Sequence, residues 1–226
     1  MDENWIINSL IGYLCFLPAL TIHECAHAWT AWKCGDDTAR LQGRITLNPV
    51  AHMDPVGTVL LPLLSAYLAA QHSPLASLVI GWGKPVPVNP MNLRHLRRDD
   101  TLVSIAGPVS NLLLAFFLML LARGAVLLPT PQIAQTFYQI TLISLVLCFF
   151  NMLPIPPLDG SHVLKNIVRM SHESYLRLSQ YGLFLLIVAI NLDPVQELVS
   201  SLTMHCFMGL FWLFHFPMAT LGPISG

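Results

Sequence analysis

The chain has 226 residues, with 11 Lys and Arg against 12 Asp and Glu, a formal net charge of −1 at pH 7, 54% hydrophobic residues and 10% charged ones. A soluble domain uses about 25% charged residues, so this chain cannot cover a water-facing surface, and its mean hydropathy of +0.62 agrees. Disorder and nucleic-acid binding are excluded, the latter for want of a basic field, which leaves a membrane protein read as a single domain over residues 1–226.

The opening Met-Asp-Glu carries no basic region, so the first apolar run, Trp5 to Ile22, is expected to be kept as a spanning helix rather than cleaved. It leads directly into His23-Glu24-Cys25-Ala26-His27. Two later stretches, Leu41 to Asn48 and Lys84 to Pro90, read as strands or extended edges, because one alternates loosely and the other is studded with prolines that forbid a helix. Between them, Pro55 to Gly83 is free of charge. It is either one span or a helix over about Val56 to Ala70 that turns at Gln71-His72-Ser73-Pro74 and returns through Leu75 to Trp82. Further charge-free intervals follow at Thr101 to Ala122, Gly124 to Leu158, Leu178 to Leu192 and Leu198 to Gly226. A crossing needs about 20 apolar residues.

Charge favours the returning hairpin. With it, residues 33–54, 84–100 and 160–177 all face the cytoplasm and carry ten of the 11 basic residues, leaving Arg123 outside. A single span would divide the basic loops between the two faces. The expected fold is an all-α polytopic membrane protein of about six membrane segments, one of them re-entrant or returning, with short strand-like segments near the site. The C-terminal segments form a helical hairpin over about 178–216. The five cysteines show no C-x-x-C pair and no disulfide framework.

His23 and His27 lie four residues apart, about 40° in azimuth on a helix, so both imidazoles can reach one ion. Glu24 sits on the adjacent flank as a carboxylate base that need not ligate. Neutral nitrogen ligands, an open coordination position and a carboxylate are what a metalloprotease needs. Such costly groups at the end of a membrane helix read as functional. Two ligands do not hold zinc. Asp159, delivered on the Pro-broken, Gly-ended run from Asn151 to Gly160, is the preferred third, with His52 and Asp54 as alternatives; Asp54 also suits a helix N-cap. Asp36, Asp37, Asp99 and Asp100 sit in charged loops and read as solvated.

The chain resembles the site-2 protease family of intramembrane zinc metalloproteases. The resemblance is carried by the motif at His23 to His27, Gly107-Pro108-Val109-Ser110-Asn111, and the Asn151 to Gly160 run ending Leu158-Asp159-Gly160. Asn48-Pro49 through His52-Met53-Asp54-Pro55, and Gly81 to Val88, are similar to the compact bacterial and archaeal branch, without a PDZ or CBS module. It covers about residues 5–170, taken as the catalytic core; beyond about Gln180 only hydrophobicity matches. The resemblance implies one Zn2+ per chain held by His23, His27 and Asp159, with Glu24 as the catalytic carboxylate and Asn151 and Asn111 lining or bracing the site. It further implies a prokaryotic cell membrane location, an active site near the cytoplasmic side, and a transmembrane protein as substrate, in a lipid bilayer and with no nucleic-acid partner.

Peptide hydrolysis needs a wet cavity, expected to be reached from the cytoplasm past His52, Asp54, Lys84 and the extended segments. A substrate helix must unwind there, and an edge at 41–48 or 85–89 is expected to pair with its freed backbone. The alternative function is a membrane metal-binding or transport protein that uses the same polar residues as an ion path.

Overall fold

The computed structural model describes residues 4–71, 81–126, 129 and 131–216, and the regular structure among them is helical. Helix α1 (Asn4–Lys33) runs through Pro18 without a break. An interior proline costs a helix about 3 kcal/mol in water, but is tolerated in membrane helices, where neighbours satisfy the freed backbone. The helix stops at Gly35, whose φ of +112° disfavours any side chain and whose absent Cβ leaves room for the Asn92 carbonyl.

Beyond it, Asp36 is fully buried rather than solvated. Its carboxylate accepts from Thr38 N–H (3.1 Å), Thr38 Oγ1 (2.5 Å), Asn89 N–H (2.7 Å) and Asn92 Nδ2 (2.9 Å), so it staples the end of α1 to a loop more than fifty residues away. Helix α2 (Thr38–Leu41) is short. Asn48 caps the 3-10 turn Pro49–His52, and Asp54 caps the wide π-helical turn Pro55–Leu60 by accepting from the N–H groups of Val56 (3.0 Å) and Gly57 (2.7 Å). That turn feeds α3 (Leu61–Ala70). The turn residues His72 to Pro74 and most of the expected return lie outside the described residues.

The strand-like segments are not strands. Residues 42–48 are turns and bends following α2, with Gly43 at φ +68°. Residues 81–89 are extended but have no ladder. Pro85 and Pro87 lack the N–H a ladder needs, and single ties hold the segment instead. Trp82 N–H donates to Gly57 O (3.1 Å), Thr58 Oγ1 to Trp82 O (2.8 Å), Lys84 N–H to His52 O (2.9 Å), and Arg44 Nη2 to Lys84 O.

Helices α4 (Leu96–Ala125) and α5 (Pro131–Asn151) form the centre of the molecule. On the inner face of α4, Ala115, Met119 and Ala122 pack with Tyr138 and Leu145 of α5 and with Phe207 and Phe211 of α9 (Asp193–Leu213). On its outer face Leu112, Leu113, Phe117, Leu120 and Leu121 are exposed. A helix apolar on both faces is at home only in a dry interior or in lipid. Leu96–Ala125 and Gln132–Asn151 are long and apolar enough to cross a bilayer. Helix α8 (Gly182–Ile190) and α9 meet at a 75° bend and together are long and apolar enough for one broken crossing or a re-entrant loop.

Helix α4 starts earlier than its charge-free stretch, and this buries two aspartates that sequence alone makes solvated. Asp99 reaches back to the N–H of His95 (2.7 Å) at the helix start. Asp100 faces α6 (Asp159–Ile167), which is followed by α7 (His172–Ser179).

Candidate metal centre

Three elements bring the site together. α1 supplies His23 and His27 on one face, both buried, and α6 supplies Asp159 as its first residue. The turn after α5 that delivers Asp159 depends on Gly160, where a Cβ would meet the Met152 carbonyl oxygen at 2.2 Å. No bulkier residue lets the start of α6 nest against that turn. Asp159 Oδ2 then lies 3.2 Å from His23 Nε2 and 3.3 Å from His27 Nε2, and the two Nε2 atoms are 3.0 Å apart.

These distances fit zinc. Bonds of about 2.0–2.1 Å in tetrahedral array set neighbouring nitrogen and oxygen ligand atoms about 3.3–3.4 Å apart. Asp159 Oδ2 is also buried without a hydrogen-bond donor, an unfavourable state for a lone carboxylate oxygen unless a cation takes it. Among the described residues this is the one cluster of His, Cys, Asp and Glu able to hold a metal.

α4 sets the imidazoles. His27 Nδ1 donates to Val103 O at 2.7 Å, which leaves Nε2 as a lone pair pointing at the centre. The Asn111 amide lies 3.2 Å from His23 Nδ1, fully buried, with its Oδ1 unpartnered. Turning the amide by 180° places the oxygen where it accepts the Nδ1 proton that a ligating His23 needs. Ser144 Oγ of α5 donates to the main-chain carbonyl of Asn111 (2.8 Å). Gly107 makes room, since a Cβ there would sit 2.3 Å from His27 Nε2 and 2.6 Å from His23 Cε1.

Glu24 and Asn151 line the same cavity of about 710 Å³ as the three ligand candidates. Its walls include Phe16 and Leu20 of α1, Leu183 and Leu186 of α8, and Trp82 to Val88 of the extended segment except Lys84 and Pro87. Gly83 passes directly over the carboxylate, because a Cβ there would stand 3.5 Å from Glu24 Oε1. Asn151 Nδ2 donates to Leu147 O (2.9 Å) and has a second N–H to offer. Burial pulls the Arg44 guanidinium below its ordinary value, and the Glu24 carboxylate opposes that shift.

His52 and Asp54, the alternative ligands, stand apart from the cluster. His52 is buried with Nε2 on Thr46 O (2.9 Å), and Asp54 serves as the helix cap. Neither they nor Lys84 line the cavity. The sequence reading missed Asp100, Val103 and the steric role of Gly107. A signal for Asp100 was present: His162, Lys165 and Asn166 fall on the same face of α6 as Asp159, and three further polar groups on that face imply a polar partner.

The model of peptidase family M50 matches residues 126–190. The chain is 38% identical over 200 residues to YwhC of Bacillus subtilis (strain 168), covering 84% of this chain and 85% of that protein. It is 31% identical over 208 residues to Rip2 of Mycolicibacterium smegmatis, covering 89% of this chain and 71% of that one. Rip2 of Mycobacterium tuberculosis (strain H37Rv) is 32% identical over 203 residues, with 88% and 71% covered. All three carry the name "Putative zinc metalloprotease". No solved structure matches the chain.

Proposed function

Because this chain belongs to peptidase family M50, the site-2 protease family, and is a zinc-dependent membrane protease, we propose that it cleaves a peptide bond in or near the transmembrane helix of another membrane protein. The observation that carries this reading is the convergence of His23, His27 and Asp159 beside Glu24 in one cavity walled by apolar helices. His23, His27 and Asp159 would hold one Zn2+. A zinc ion held there supplies Lewis acidity, which polarises a scissile carbonyl and makes water nucleophilic near neutral pH.

The chain's own groups do the rest. Glu24 takes a proton from the attacking water and returns it to the leaving amine nitrogen. The second N–H of Asn151 Nδ2 is available to a developing oxyanion. Val86 and Val88 line the cavity, which supports a reading in which this segment hydrogen-bonds an extended substrate backbone. The ties of Trp82 to Gly57 and Thr58 bring the chain back to the start of the 55–70 helix, which supports a segment that enters the membrane and returns. With that return, the basic loops gather on one side and the site lies toward the cytoplasm.

The test is Glu24→Gln. Membranes containing the native protein and the variant are compared for uncut transmembrane fragments. The variant should accumulate them while keeping zinc; equal fragment levels would overturn the protease reading. A transport protein would instead show altered metal flux.

A further inference from the structure

We propose that Asp100 is a positioning residue for the third metal ligand: through α6 it fixes Asp159 at the centre. The proposal rests on the reading of His23, His27 and Asp159 as ligands.

Asp100 is buried at the start of α4 and lines the cavity of the metal centre. Its carboxylate gathers three donors from one face of α6. Lys165 Nζ (2.9 Å) and Asn166 Nδ2 (2.8 Å) reach Oδ2, and His162 Nδ1 reaches Oδ1 (3.3 Å). Asp159 is the first residue of this nine-residue helix, and no side chain caps that end. The place of its carboxylate therefore follows from what holds the rest of α6: the Asp100 carboxylate of α4 along one face, and Tyr175 of α7, whose hydroxyl meets Ser161 Oγ at 2.9 Å. Helix α4 also orients His27 through Val103 and His23 through Asn111. One rigid element thus sets all three ligands, two by direct contact and the third through the Asp100 clamp. The polar groups that orient ligands typically govern metal affinity by about 10–100-fold.

The experiment uses the full chain purified in detergent, as native protein and as Asp100→Asn, Lys165→Met and Asp159→Asn. Three quantities are read: zinc affinity by chelator competition, the visible absorption of the Co2+-loaded protein at saturating metal, and the thermal midpoint of the metal-free protein. Asp100→Asn and Lys165→Met should each bind zinc about 10–100-fold more weakly and show an altered Co2+ spectrum, since the ligand field changes when Asp159 shifts. A lower midpoint with native affinity and a native spectrum would mean that the clamp only stabilises the fold, and would overturn the proposal. If Asp100→Asn does not accumulate, Lys165→Met decides alone, because it keeps Asp100 and its other two partners. Native metal affinity in Asp159→Asn would sink the ligand assignment itself. Loss in Asp159→Asn with native behaviour in the clamp variants would sink only the positioning role.

Discussion

Gly107→Ala places one methyl group where the two imidazoles meet. The added Cβ would lie 2.3 Å from His27 Nε2 and 2.6 Å from His23 Cε1, short of ordinary contact by about 1 Å. The rings must move by that amount, while a metal site tolerates errors of only about 0.2 Å in its bonds. A displacement of about 1 Å costs catalysis about 100-fold, and zinc affinity should fall at least as far. The fold should survive. Ala is favoured over Gly in a helix interior by about 1 kcal/mol, which offsets part of an overpacking cost of about 1–3 kcal/mol. Gly124→Ala is the control, on the same helix, where a Cβ meets nothing within 4 Å. Zinc per chain is measured by mass spectrometry of the purified proteins, with cleavage of a substrate fragment alongside. Gly124→Ala should match the native protein and Gly107→Ala should be nearly metal-free and inactive. A Gly107→Ala protein with one zinc per chain and native turnover would refute the reasoning.

Val86→Pro or Val88→Pro removes a backbone N–H from a residue that lines the cavity, and should reduce cleavage severely with zinc content unchanged; unaltered turnover would end the idea that this segment pairs with substrate. Asp36 gives a pH signature. Burial raises its pKa, but the hydrogen bonds from Thr38, Asn92 and the Asn89 N–H outweigh that and hold it below the usual carboxylate range. Because the folded value is the depressed one, its stabilisation is present above about pH 4 and is lost as pH falls toward the folded value. Thermal unfolding in detergent should show Asp36→Asn less stable at pH 7 and with a flatter acid limb, and an unchanged acid limb would count against the assignment.

The grouping of His23, His27 and Asp159 was legible because coordination chemistry restricts residue type and spacing. Two histidines four apart need a third partner, and an aspartate on a Pro-broken run at the end of a long apolar interval has few other uses. Asp159 indeed stands 3.2 and 3.3 Å from the two Nε2 atoms. The helices α4 and α5 were legible for a similar reason, as apolar runs bounded by charge or proline. Burial of Asp36 was not legible, because local charge density says nothing about donors far along the chain, such as Asn89 and Asn92; for Asp100 the one signal was the polar face of α6 that carries Lys165 and Asn166. The run from Lys84 to Pro90 was recognised by its prolines, yet those prolines also prevent a ladder over the whole segment 81–89. It is held by separate bonds to Gly57, Thr58, His52, Arg44 and Asp36 that no alternation pattern encodes.

The central claim is that α1 and α6 jointly grip one zinc ion, and the zinc content of three purified proteins tests it most directly. The native protein and Glu24→Gln should each carry one zinc per chain, while Asp159→Ala should carry almost none. One zinc per chain in Asp159→Ala would contradict the account, because the third ligand would then lie elsewhere.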